Sequence, residues 1–305
     1  MKRKLVQHGP STLMVSLPSK WIKMNKCMKG DEINIDEDKN ILTLSPSSNF
    51  KPSKKKMDIS LDSDYQKFIR HAITLAYRIG YDEINVELKN QTQFQHIKDI
   101  ISRLLIGYEI TEKTNNKCKI ESITEPPEDK FDVLIQRILF IAVDNSKSLH
   151  DYFTLNAKPD LEYVQSQTNK ADQYIYFCKR TLSKKRFSER AFFKWMLLSN
   201  LLLIHHSISR LVKAVTDRKN KPKKEFIDIF CKIDSYLNDY VKAFLRSDTA
   251  EFSDLHTLGE TILYTECYNI IEKGDYGISA YHLGEVTRNI YLATIPSMGI
   301  SIEFS

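Results

Sequence analysis

Beyond the Pro126-Pro127 pair, apolar side chains recur at three- and four-residue spacing almost to the end of the chain. That spacing puts them on one face of a helix, so this region must fold by packing helices on one another. Helices are expected over residues 128–156, 160–185, 188–218, 222–247, 249–273 and 276–296. Turn signals at Pro159, Lys184-Lys185, Pro222, Ser247-Asp248 and Gly274-Asp275 separate them. Three long helices, a connector rich in Lys and Pro, and three more is the outline of a duplicated three-helix bundle, residues 126–220 and 221–305. The repeat lies in helix lengths, not in residue identity.

Residues 57–125 have a different period. Met57 to Leu61 and Ile84 to Leu88 read as strands, and Tyr65 to Ile79 and Gln93 to Ile106 as helices stopped by Gly80 and Gly107. A hairpin over Tyr108–Thr114 and Lys117–Ile123, turning at Asn115-Asn116, completes a small α/β unit of order βαβαββ. Residues 46–56, rich in Ser, Pro and Lys, read as a linker whose lysines could add phosphate contacts.

The opening residues 1–45 alternate. Leu13, Val15 and Leu17 interleave with polar neighbours as in a half-buried strand, and a short helix is expected from Pro18 to Cys27. Gly30-Asp31 turns the chain, and Ile33 to Leu44 forms a hairpin through Asp38-Lys39-Asn40. Four short strands bury too little to fold alone, and neither disulfide nor metal is available as a staple. Interleaving with a second copy is the remaining solution, so an obligate homodimer is expected. Charge is concentrated here too: residues 1–56 hold twelve Lys and Arg against five acids, none before Asp31, in a chain whose net charge is +6. The remainder is close to neutral. A basic module on a neutral partner is the electrostatic footprint of polyanion binding.

The segment Gly9-Pro10-Ser11-Thr12-Leu13-Met14-Val15-Ser16-Leu17-Pro18-Ser19-Lys20-Trp21, followed by Lys29-Gly30-Asp31-Glu32-Ile33, resembles the SpoVT/AbrB swapped-hairpin DNA-binding domain. The remainder, on softer patterns including Leu283 to Ile300, resembles archaeal PhoU-like phosphate-uptake regulators, which place such a domain before two three-helix bundles. The resemblance implies an α+β multidomain regulator: an N-terminal swapped-hairpin β-barrel dimer, a small α/β unit, then two mostly helical bundles. It implies DNA contacts from Lys2, Arg3 and Lys4 on the first strand, His8, Ser11 and Thr12 in the next loop, and Lys20 and Lys23 on the helix. Lys and Arg neutralise phosphates, short hydroxyls bond phosphate oxygens, and only the planar fork of Arg3 matches a guanine edge.

PhoU-like bundles carry acidic repeats (E-x-x-x-D and an E-R-I-A-D-H stretch) that hold metal clusters, because hard cations need several converging oxygens. Here Thr168-Asn169-Lys170-Ala171-Asp172 keeps one carboxylate, Asp172, and His205-His206-Ser207-Ile208-Ser209-Arg210 keeps none. Gly284-Glu285-Val286-Thr287-Arg288-Asn289 retains Glu285, with a cation where an acid would stand. Asp172 and Glu285 are thus weak metal candidates, and the expectation is that the metal site is lost. His205 and His206, about 100° apart on a helix, do not address one ion easily. Glu128 and Asp132 open a helix, where the dipole accounts for them.

Nucleophile-elbow, Walker, Rossmann and H-E-x-x-H motifs are missing, and glycine is scarce at nine residues, so no enzyme and no cofactor are expected. Tyr174, Tyr176, Phe177, Phe192, Phe193 and Trp195 read as helix-packing residues. The five cysteines are scattered without a Cys-x-x-Cys pair, which points to reduced thiols. With 42% apolar and 28% charged residues and no long apolar run, the sequence reads as soluble and cytoplasmic, without membrane insertion. The expected partners are DNA, a second copy, and a phosphate transporter or sensor protein. The competing reading is an adaptor whose helical face docks such a partner without DNA.

Overall fold

Alternation in the first residues gives two separate ribbons. A computed structural model describes residues 2–38, 41–46, 54–124, 130–184 and 189–302. The chain divides into two units, Met1–Lys54 and Lys55–Ser305. In the first, β1 (Val6–Gln7) pairs antiparallel with β2 (Leu13–Met14), and the His8 N–H closes their loop on the Thr12 carbonyl at 2.8 Å. Helix α1 (Ser19–Met24) follows; Pro18 caps it from outside instead of occupying its first position, so the helix is shorter than the expected Pro18–Cys27. Strands β3 (Ile33–Asp38) and β4 (Ile41–Pro46) form the second ribbon, with Asp38 opposite Ile41. The expected turn residues Lys39 and Asn40 lie outside the described residues. Of the expected linker, Pro46 ends β4 and Lys56 begins the next strand, while 47–53 also lie outside them.

The second unit begins with a four-stranded sheet in the order β5-β6-β8-β7, from β5 (Lys56–Ser60), β6 (Glu83–Glu87), β7 (Tyr108–Lys113) and β8 (Lys117–Ser122). β5 and β6 run parallel around α2 (Gln66–Arg78); the other pairings are antiparallel. The period-2 pattern sends Ile84, Val86, Cys118 and Ile120 into the core. Their neighbours Asp58, Asn85, Glu83, Lys119 and Glu121 form an ion and hydrogen-bond network on the other face. Helix α2 and α3 (Gln91–Leu104) bury Ile69, Ile73, Tyr77, Ile97 and Ile101. Gly107 must be glycine: its φ is +76°, and a Cβ there would collide with the Thr124 carbonyl oxygen.

The helical region comprises α4 (Phe131–Leu155), α5 (Leu161–Lys184), α6 (Glu189–Thr216), α7 (Lys224–Arg246), α8 (Thr249–Thr261), α9 (Tyr268–Glu272) and α10 (Ile278–Ser301). A π-helical turn, Ile262–Cys267, joins α8 to α9, so the expected fifth helix is one rod with a widened turn. The extra residue keeps the adjacent Ile262 and Leu263, and then Cys267, all buried. α5 lies across α2 and α3, α4 packs on α5, α6 and α7, and α6 runs along α10. One connected apolar core extends from Leu61 to Ala293.

The last helix passes through Pro296, its expected end. Proline has no N–H for the carbonyl of Leu292. Asn200 Nδ2 on α6 donates to that carbonyl at 3.0 Å, and α10 continues to Ser301. No helix among the described residues is long and apolar enough to cross a membrane.

Candidate nucleic-acid interface

The described residues of the first unit form a basic exterior without an interior. No residue whose burial is described in that unit is buried. Opposite residues share a face, so Ile33, Ile35, Leu42 and Leu44 form one apolar surface of the β3–β4 ribbon. Ile35 and Leu42 on that surface are 62% and 66% exposed. Of Leu13, Val15 and Leu17, expected on the inner face of a half-buried strand, Leu17 is half-buried but Leu13 and Val15 are exposed, because no described residue of the same copy covers them. A two-stranded ribbon with an uncovered apolar face is marginal at best in water.

All eight expected contact residues are exposed. Lys2, Arg3 and Lys4 precede β1 instead of lying on the first strand; with only Val6 and Gln7 paired, the ladder starts after them. His8 and Thr12 meet across the β1–β2 loop, and Ser11 lies between them in sequence. Lys20 and Lys23 sit on α1, apart from the half-buried Trp21 and Ile22. Among the described residues, Lys2, Arg3, Lys4, Lys20 and Lys23 have no carboxylate in ion-pair range. Their charge is therefore available to a polyanion.

The two weak metal candidates are held by protein partners. Asp172, 1% exposed on α5, accepts a hydrogen bond from Arg70 Nη2 at 3.0 Å through one oxygen. Its other oxygen lies 2.9 Å from His206 Nε2. Glu285 lies 2.6 Å from His282 Nδ1 and accepts from the Tyr281 hydroxyl at 3.2 Å. No group of three His, Cys, Asp or Glu side chains converges among the described residues. The adjacent histidines diverge: His206 is partly exposed, whereas His205 is fully buried, and burial outweighs Asp172 to bring its imidazole down to about 4. Asp132 opens α4 and pairs with Lys194 at 3.8 Å; Glu128 lies outside the described residues. Among the aromatics, Tyr176 and Phe177 are buried as expected, but Phe192 is 61% exposed.

A buried polar seam between α5 and the α/β layer has little trace in the sequence. Arg180, 2% exposed, donates to the carbonyls of Tyr81 at 2.6 Å and Tyr77 at 3.3 Å, and to Asp82 Oδ1 at 2.8 Å. Its guanidinium lies over the rings of Tyr108 and Tyr77, 4.9 and 5.3 Å from their centroids. Lys184 also reaches Asp82 Oδ1 at 2.8 Å. Burial raises the Asp82 carboxyl, but Lys184, the Lys55 N–H and Arg180 outweigh it and hold the group below its ordinary range. Lys179 is buried with the Ser199 hydroxyl at 2.8 Å, and burial together with Arg78 brings it down to about 8. The one sequence signal is a pair of cations four apart, Arg180 and Lys184, on the otherwise apolar side of a helix.

Comparison with family models, with characterised proteins and with solved structures finds no match to this chain.

Proposed function

We propose that the protein is a DNA-binding transcriptional regulator in which two copies of residues 1–45 interleave into a swapped-hairpin barrel. Lys2, Arg3, Lys4, His8, Ser11, Thr12, Lys20 and Lys23 then face the duplex. The observation that carries this reading is the joint state of the first unit: an apolar ribbon face on which Ile35 and Leu42 stay exposed among the described residues, and exposed cations with no acid before Asp31. A second copy is the occupant that matches an apolar β ribbon of the same length. Pairing two such modules doubles the cationic surface, and phosphate neutralisation releases counterions.

In the same reading α4–α6 and α7–α10 are two three-helix bundles that receive a signal tied to phosphate uptake, through a cytoplasmic contact with a transporter or sensor protein. Exposed Tyr264, Tyr268 and Ile271, spaced four and three residues apart, favour a docking role for this region, and with it the adaptor reading.

DNA binding by the full chain, measured against salt, tests the proposal. The variant Lys2→Ala/Arg3→Ala/Lys4→Ala should bind more weakly at all sequences, with a log–log salt slope shallower by about 0.9 for each phosphate it no longer neutralises. An unchanged slope, or no retention of the unaltered chain on DNA at low salt, would overturn the proposal in favour of the adaptor.

A further inference from the structure

Where the start of α2, the end of α3 and α5 meet, a cleft of about 240 Å³ is walled by Gln66, Lys67, Arg70, Asp99, Arg103 and Asn169. Three cations face it against one acid. That acid is already committed, since Asp99 Oδ1 holds Arg103 Nε at 2.7 Å. Lys67 is exposed and has no ion-pair partner among the described residues. Arg70 uses Nη2 on Asp172, yet its side chain remains 36% exposed, and a guanidinium carries five N–H groups. Asn169 accepts from Gln165 through its oxygen at 3.2 Å, which leaves its amide N–H groups as donors. The first turn of α2 has no acid and no side-chain cap to compete for the same space. Two planar forks, each spending only part of its N–H set on a carboxylate, stand with an ammonium and two amides around one concavity and leave donors over. Guanidinium pairs meet tetrahedral oxyanions in bidentate fashion, and an ammonium adds a point charge.

We propose that this cleft is an effector site for a small dianionic oxyanion, either free inorganic phosphate or a phosphomonoester. The site is independent of the DNA reading. Arg70 links it to the helical region, because a ligand drawing on that guanidinium competes with Asp172, whose other oxygen faces His206 on α6. Occupancy of the cleft is thereby felt at His206.

The test uses the full chain, with the thermal midpoint followed against inorganic phosphate, ribose 5-phosphate, and sodium chloride at matched ionic strength. A saturable upward shift is expected with at least one phosphate probe and not with chloride. It should require at least tenfold more ligand in Lys67→Gln/Arg103→Gln, whose altered side chains are at the surface and leave the fold intact. A displaced imidazole resonance of His206 at saturation, lost in the same variant, is the second readout. Tighter binding of ribose 5-phosphate identifies an organic phosphate as the source, and tighter binding of inorganic phosphate identifies the free ion; both support the site. Shifts equal in the variant and the unaltered chain, shifts reproduced by chloride, or no saturable binding of either probe up to roughly 20 mM would overturn it.

Discussion

Replacing Arg180 with methionine tests the seam that joins the α/β layer to α5. Methionine keeps the unbranched apolar stem between the two tyrosine rings and deletes only the charged fork. Among the described residues, the hydrogen bonds to Tyr77, Tyr81 and Asp82 go. None of the acceptors is orphaned. The Tyr77 carbonyl keeps the Gly80 N–H at 3.0 Å, the Tyr81 carbonyl keeps the Tyr108 hydroxyl, and Asp82 keeps Lys184. Bonds to a charged donor contribute about 1.5–3 kcal/mol each, but the desolvation cost of the buried guanidinium is recovered. The net loss should therefore be about 2–3 kcal/mol, below the roughly 3–5 kcal/mol of a pair broken to leave a bare buried charge. Lys184→Met alone, at a more exposed side chain, should cost about 0.5–1 kcal/mol. The double variant strips Asp82 of both cations, so it should exceed the sum of the singles by more than about 1 kcal/mol. Urea unfolding at neutral pH is the assay. The chain has two tryptophans, Trp21 and Trp195, one in each unit, so fluorescence in a Trp21→Phe background reports on the Lys55–Ser305 unit alone. A loss under about 1 kcal/mol for Arg180→Met, or strict additivity in the double variant, would refute the reasoning.

Two further outcomes are expected. His205 titrates at about 4 when folded and near 6.5 when unfolded, so below pH 6.5 the unfolded chain binds a proton that the native chain refuses. Stability should therefore fall as pH drops from 6.5 toward 4, by up to about 3 kcal/mol, and His205→Leu should remove that part of the slope in urea midpoints; parallel pH profiles for the two proteins would contradict the assignment. Gly107→Ala and Gly274→Ala separate clash from backbone strain, since both glycines have positive φ but only Gly107 has atoms where a Cβ would go. Gly274→Ala should cost about 1 kcal/mol and Gly107→Ala at least twice that in thermal denaturation, and equal losses would show that the Thr124 carbonyl moves freely.

Period and punctuation are enough to place the elements. The 3.6-residue spacing of apolar side chains marks the long helices to within a few residues, and alternation marks the sheet of the α/β layer, because both patterns follow from local backbone geometry. Where the sequence misleads, a distant partner has intervened. Pro296 has the local character of a stop, yet Asn200, on another helix, takes up the carbonyl that proline leaves free. Charge segregation is equally legible, being a property of composition along the chain. Which charges meet is settled only when distant segments pack. Nothing local says that Asp172 faces Arg70 and His206, or that Arg180 and Lys184 converge on Asp82, since these pairs join segments about a hundred positions apart or lie on separate helices. The cationic cleft over Arg70 belongs to the same class: three helices supply its walls, and their relative packing is fixed by the shared apolar core rather than by any one of them.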